Sequence, residues 1–417
     1  MKRLLSLCLC CCLALSLLPG CAPASAAREL SARPITISQE QLMAYDPNGP
    51  GVYASLSSFG LDLLKASRQE GESALVSPLS VALALSMAAN GARGDTLAQF
   101  EQVLGGGARL EAVNVACHAL TSLYQDLQKG STQCSIANSL WVDPEGQIRE
   151  DFIGKCAGIF DAQVFQGDLS APGIVGDLNG WVSQRTNKMI PQIVTKPFPE
   201  NTAALLVNAL YLDNTWETEF DPNSTHTRTF TCADGTRETM DFLGRGSSTL
   251  PYLRGDGAQG VVLPYDDGRL GFFALLPDGD LDSWLAGLEG DELSILLEGQ
   301  EDSQFLHLAL PKFETEWSGQ LQDVLVSLGL EDAFTPGQAD FSLLGDRPEG
   351  YFLSRVIHAA KIQVNEKGTR AAAATVVEAN AGSAPPEEGI TLVFDRPFLY
   401  GIFDLQNSVP LFLGIFA

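Results

Sequence analysis

Histidine is the side chain most often recruited for proton transfer near neutrality, and this chain has four: His118, His226, His307 and His358. None stands in HExxH, and no GxSxG elbow, GxGxxG turn or GK[ST] phosphate loop is present. Gly105-Gly106-Gly107 has neither the preceding strand nor the following lysine of a phosphate loop and reads as a turn. Acidic residues number 51, so carboxylate pairs arise by chance, and a solvated acidic surface is the plainer reading. Cys117, Cys134, Cys156 and Cys232 match no zinc spacing and have no neighbouring His or Lys to draw out a thiolate. They read as inert buried thiols. His358 sits in an apolar run, LSRVIHAAKI, where a core histidine with a satisfied hydrogen bond is expected. These residues predict no enzyme, no metal and no cofactor.

The elements that hold them come next. With 417 residues, 45% hydrophobic and 18% charged, the chain is neither disordered nor fibrous. Its net charge of −25 repels phosphate backbones, with no basic stretch to offset it, so nucleic acid is excluded as a partner. Anionic lipid headgroups are disfavoured for the same reason. Tyr53 to Ala66, Pro78 to Met87, Ala112 to Leu127, Glu150 to Phe160, Pro172 to Arg185 and Ser318 to Leu328 are predicted helices. Strands are predicted at Cys134 to Val142, Ala203 to Leu212, Gly260 to Tyr265, Gly271 to Leu276, Gln304 to Leu310 and Phe352 to Asn365, with two more closing the chain. Helices dominate early and strands late without a second linker. One large α+β domain with a mostly antiparallel sheet follows.

The first residues read as an export segment. Lys2 and Arg3 precede an apolar run from Leu4 to Leu18, shorter than the roughly twenty residues that span a bilayer. The run ends in Leu18-Pro19-Gly20-Cys21, which resembles the lipobox of bacterial lipoproteins and makes Cys21 the candidate lipidated residue. Ordinary cleavage after Ala24-Ser25-Ala26, releasing a secreted protein, is the alternative. Residues 1–20 are thus assigned to the signal, 21–51 to a tether, and 52–417 to the folded domain. Contact with a membrane is expected only through the anchor.

Residues 365 to 391, NEKGTRAAAATVVEANAGSAPPEEGIT, need their own explanation. Ala371 to Ala374 favour helix, but Gly368 and the β-branched Thr375-Val376-Val377 do not prolong one. So long a polar loop inside a compact domain is usually functional or disordered.

EKGTRAAAATVV resembles the proximal hinge of inhibitory serpins, and the stretch after it resembles their reactive centre loop. SALVSPLSVALALSMAANGARGDT, NALYLDNTW, LALPKF and FDRPFLYGIFDLQNSVPLFLG resemble further serpin blocks, in family order, from about Val52 to Ala417. The resemblance implies a single domain of about nine helices around a five-stranded central sheet. An exposed loop, about 366–391, is cut by a serine protease, and the freed loop then inserts as an extra strand, trapping the protease as a covalent acyl complex. Inserting residues must be small or β-tolerant, since interiors have no spare volume. Thr369, Ala371, Ala373 and Thr375 alternate on one face and meet that condition, with Ala372 and Ala374 between them. Arg370 stands where the family commonly has an acid, on the opposite face.

The resemblance also places Ser77, Ser80, Asn208 and His358 in the shutter, a polar cluster under the sheet. It puts Trp216 at the breach and pairs Lys312 with Glu366 where the hinge begins. Asn214 and Asn187 replace common glycines. The scissile bond falls at about Gly382-Ser383, where small residues suit elastase-like or subtilisin-like pockets. Ala119 to Gly130 offers Lys129 alone, so no heparin site is expected. A monomer is expected. The rival readings are a non-inhibitory member of the fold and a surface lipoprotein with a binding or adhesion role.

Overall fold

The computed structural model describes residues 25–44, 51–127, 132–247, 250–255, 257–301, 305–369 and 389–417. Cys21, Ala371, Ala372, Ala373, Ala374, Thr375, Gly382 and Ser383 lie outside them. Ten α-helices are present among the described residues, with three sheets of four or more strands.

The central sheet contains, in chain order, β1 (Ala27–Leu30), β2 (Gln133–Val142), β3 (Gln163–Gly167), β4 (Ala204–Thr215), β5 (Phe313–Gln320), β6 (Arg355–Val364) and β7 (Gly368–Thr369). Its spatial order is β1-β3-β2-β4-β7-β6-β5. The β2–β3 and β4–β6 pairs are parallel and the other pairings antiparallel. ALLVNALYLDNT in β4 is buried along most of its length because both faces are covered. On one face Leu206, Leu210 and Leu212 join the main core; on the other Leu205, Val207 and Ala209 pack beneath helix α2 (Gly173–Arg185). Helix α1 (Pro78–Ala89) lies wholly within the main core, so it is apolar all round, and Pro78 opens it where no backbone donor is lost.

Three expectations need correction. The stretch assigned to a tether is partly docked: β1 extends the sheet by pairing with β3, and Gln39–Ala44 is helical. Asp177 of α2 holds the entrance to β1, accepting from the Ser25 hydroxyl (2.9 Å) and from the Ala26 and Ala27 N–H groups (2.7 and 3.2 Å). The sheet therefore has seven members where five were expected, the extra two being β1 and the short β7. Ser318 to Gln320, assigned to a helix, finish strand β5, and the helix runs only from Gln322 to Ser327. FETEWSGQ alternates in burial like an edge strand, but its last three residues carry no apolar signal to show it.

Candidate functional site

The site is built where β4 and β6 part. They pair in parallel from Leu205↔Arg355 to Ala209↔Ala359 and no further. Higher up, β7 stands between them, with Gly368↔Thr215 and Thr369↔Asn214 on one side and Val364↔Thr369 on the other. The third and fourth residues of the hinge-like run, Gly368 and Thr369, are thus already a wedge in the sheet. Gly368 has no substitute here, because a Cβ would stand 2.0 Å from the Asn214 carbonyl oxygen. Thr369 is 2% exposed and shares a hydrogen bond with the Tyr265 hydroxyl below it.

Trp216 fixes the chain just before the wedge. Its Nε1–H donates to the Asn365 carbonyl (2.9 Å) and its backbone N–H to Lys367 (2.8 Å). Its ring stacks on Tyr265, centroids 4.9 Å apart at 11°. Phe220 N–H donates to the Glu366 carbonyl (2.8 Å). Lys312 Nζ lies 3.0 Å from the Glu366 carboxylate, which also accepts from the Thr225 hydroxyl. Partial burial pushes the Glu366 carboxyl up. Backbone hydrogen bonding, Lys312 and Thr225 outweigh it and hold the carboxyl below its ordinary value. Asn214 is held too, accepting from Thr132 and donating to Asp267 (2.8 and 2.6 Å).

Below the wedge, Ser77, Ser80, Asn208 and His358 meet, although they come from α1, its N-terminal cap, β4 and β6. Ser77 N–H donates to His358 Nε2 (3.1 Å), so the ring proton is on Nδ1, which donates to Asn208 Oδ1 (3.0 Å). The Ser80 hydroxyl donates to the same oxygen. Asn208 Nδ2 donates to the Ser80 carbonyl and to Asn138 Oδ1 (2.8 and 2.6 Å). Ser77 Oγ donates to Leu411 (2.8 Å). Every ring nitrogen is used, and burial drives the His358 pKa down to about 3, so the imidazole is neutral. Such a cluster can hold two strands together and can exchange partners. It presents no nucleophile.

Burial pushes the Cys117 and Cys134 thiols up to about 12 and raises Cys156 as well. No group of three or more His, Cys, Asp or Glu among the described residues could hold a metal ion. Asn187 has φ of 47°, the left-handed region, which accounts for a glycine being common at that turn.

A sheet parted at Gly368, above a polar cluster that bridges the parting strands, is what the serpin resemblance of the sequence implies. The family model described as serpin (serine protease inhibitor) matches residues 54–417. The chain belongs to the serpin family. Serpins are generally inhibitors of serine proteases, not enzymes, although some members do not inhibit. An uncharacterised serpin-like protein of Thermococcus kodakarensis is 30% identical over 370 residues, 87% of this chain and 84% of that one. The leukocyte elastase inhibitor of Equus caballus is 29% identical over 86% of this chain and 97% of its own. The thermophilic serpin tengpin in its native state superposes with a TM-score of 0.81 at 31% identity, covering 93% of this chain and 98% of that one. Its latent state superposes less well, at 0.73. This serpin's site also uses Tyr265, Asn365, Asn138 and Thr225, which sequence reasoning missed. Tyr265 ends the predicted strand Gly260 to Tyr265 and gives no sign of the loop it will touch.

Proposed function

We propose that this serpin inhibits serine proteases as a suicide substrate. A target protease cuts the loop at about Gly382-Ser383. The freed segment then enters the sheet between β4 and β6 while the acyl-enzyme is still attached. The observation that carries this reading is β7: the entering strand is already begun, and both of its neighbours hold it in one register. Continued from Thr369, that register sets Ala371 between Leu212 and Ile362, Ala373 between Leu210 and Ala360, and Thr375 between Asn208 and His358. The two alanines need little volume among core side chains. Thr375 brings a hydroxyl to the place where the His358–Asn208 pairing must open. The better match to a native than to a latent serpin supports a starting state with the strand not yet inserted.

Small residues around Gly382 favour elastase-like or subtilisin-like proteases, and the name of the horse relative points to the first. We place the protein outside the cytoplasm as a monomer, anchored through Cys21 or released by cleavage near Ala26. Incubation with pancreatic elastase and with subtilisin tests the function. A denaturation-resistant complex at the summed mass is expected; clean loop cleavage with full protease activity remaining would reject inhibition and leave the non-inhibitory reading. Metabolic labelling with palmitate, against a Cys21→Ala control, tests the anchor.

A further inference from the structure

We propose that the mature protein keeps Ser25 and Ala26 and is held through Cys21 with the lower end of its central sheet against the lipid surface and the hinge end turned away. The inference rests on the Cys21 reading above and adds the form of the mature chain and its orientation. Its ground is a seat that the body reserves for residues 25–35. Asp177 accepts from the Ser25 hydroxyl and the Ala26 N–H as well as from the N–H of Ala27. A Cβ on Gly167 would stand 2.1 Å from the Ala26 carbonyl oxygen. Further along, the Ile35 N–H donates to the Gly154 carbonyl (2.8 Å). Cβ atoms on Gly154 and Gly158 would stand 2.6 Å from the Arg33 carbonyl oxygen and 2.3 Å from that of Ile35. Both glycines lie inside the helix Glu150–Phe160, where glycine is less stable than alanine, so the close approach of the segment is what favours them.

Cleavage after Ala26 would remove the Ser25 hydroxyl, the Ala26 N–H and the Ala26 carbonyl, the groups around which this end of the seat is shaped. Processing at Cys21 retains them all. Only Ala22, Pro23 and Ala24 then separate Cys21 from Ser25. Their Cα atoms are at most about 14 Å apart, at roughly 3.5 Å per residue. The headgroup layer takes up about half of that reach, so the body has no stalk to stand on. The strand registers say which end is held. Ala27 pairs with Gly167, one residue past Gln166; Gln166 is level with Val142, and Val142 with Ala204. Ala204 begins β4, and Asn214, the partner of Thr369, stands near its other end. Ala204 to Asn214 spans roughly 30 Å, at about 3.3 Å per residue. The anchor therefore leaves from the end of the sheet remote from the wedge, and the hinge faces proteases arriving from solution. A net charge of −25 supplies no attraction to anionic lipid, so the short linker does the orienting.

The test uses the full chain, produced in bacteria, extracted from their membranes and returned to phosphatidylcholine vesicles that carry an acceptor dye on some headgroups. The intact mass of the extracted protein reads its first residue, and a lipid-modified Cys21 is expected. A donor dye is placed at Arg28→Cys, beside the docked entrance, or at Glu219→Cys, beyond the hinge end of β4. Both positions are exposed, and Cys232→Ser removes the one native cysteine among the described residues that is not buried. Energy transfer from position 28 should exceed that from position 219 several-fold. A long Gly/Ser insertion between Ala24 and Ser25, which leaves the docked run intact, should abolish most of the difference. Equal transfer from the two positions in lipid-modified protein would overturn the orientation and leave the Cys21 reading standing. A mature chain that begins at Ala27, or one that carries no lipid on Cys21, overturns the Cys21 reading and the proposal together. A difference that survives the insertion would assign the orientation to surface attraction and overturn the role given to the linker.

Discussion

The backbone N–H of Ser77 donates to His358 Nε2 at 3.1 Å across the junction between helix α1 and strand β6. That bond fixes the tautomer of the ring, because a proton on Nε2 would face another donor. Burial of the same ring sets a pH dependence. The folded pKa, about 3, lies below the ordinary value of 6.5, so the unfolded chain binds more protons between them. The contribution is fully present above about pH 6.5 and is lost as the pH falls toward 3. It amounts to a few kcal/mol, on the order of a buried ionisation. His358→Gln has no ring to protonate, so its stability should fall less steeply across that window. Guanidinium midpoints of both proteins at intervals of pH measure the difference, and equal slopes would refute it.

The wedge of β7 makes a second expectation local. Gly368→Ala puts a methyl group 2.0 Å from the Asn214 carbonyl oxygen, backbone that cannot yield without moving β4. The hinge should leave the sheet instead. Thr369 then loses Tyr265, and Trp216 loses its bond to Asn365. Amide exchange at Val364 to Thr369 should quicken markedly while that of β2 stays slow. Protection unchanged at Thr369 would contradict the wedge.

Much of this was legible in the residues, and the reasons differ from place to place. Glu150–Phe160 is visible because an amphipathic helix repeats its apolar residues at its own period. The parting of β4 and β6 is visible only through the hinge-like run beyond it, since small alternating residues are what an entering strand requires. Ala27–Leu30 has no such signature: AREL becomes a strand because β3 offers an unpaired edge and because Asp177 stands beside its entrance. Tyr265 was hidden for a similar reason. A tyrosine at the end of a strand reads as core until a threonine more than a hundred residues later is found on its hydroxyl.

The docked N-terminal segment carries its own prediction. Asp177→Ala removes the acceptor shared by Ser25, Ala26 and Ala27. These groups are exposed or half-buried, so water replaces part of the loss and the cost should be about 1 kcal/mol. Limited proteolysis should cut near Arg28 in the variant at protease levels that leave the wild type whole. An unchanged cleavage pattern would show that the β1–β3 pairing holds the segment without the aspartate.

Lys312 and Glu366 meet at the sheet's upper rim, where the lysine side chain is 42% exposed, so solvent screening limits their attraction. Lys312→Ala should lower stability by only about 0.5 kcal/mol. The carboxylate keeps its Thr225 and backbone partners, and its pKa should rise toward the ordinary value. A loss of several kcal/mol in denaturant unfolding would mean that the pair holds the hinge more firmly than its exposure allows.

The most demanding prediction concerns Thr369 itself. Its side chain is buried between β4 and β6 above the core, against Tyr265, with no room for a longer group. Thr369→Arg would have to bury a guanidinium beside an aromatic ring or hold the hinge outside the sheet, and the second costs far less. The loop would still be cut, since the scissile segment near Gly382 is unaltered. Insertion would stall at its first residue, and the acyl-enzyme would hydrolyse before the protease is displaced. The expected result is turnover in place of complex: cleaved variant, active protease, and no rise in melting temperature on cleavage, whereas the proposed mechanism has cleavage release the wild type from a kinetically trapped state. A covalent complex formed by Thr369→Arg at the wild-type rate would show that Thr369 does not lie on the entering strand's inward face.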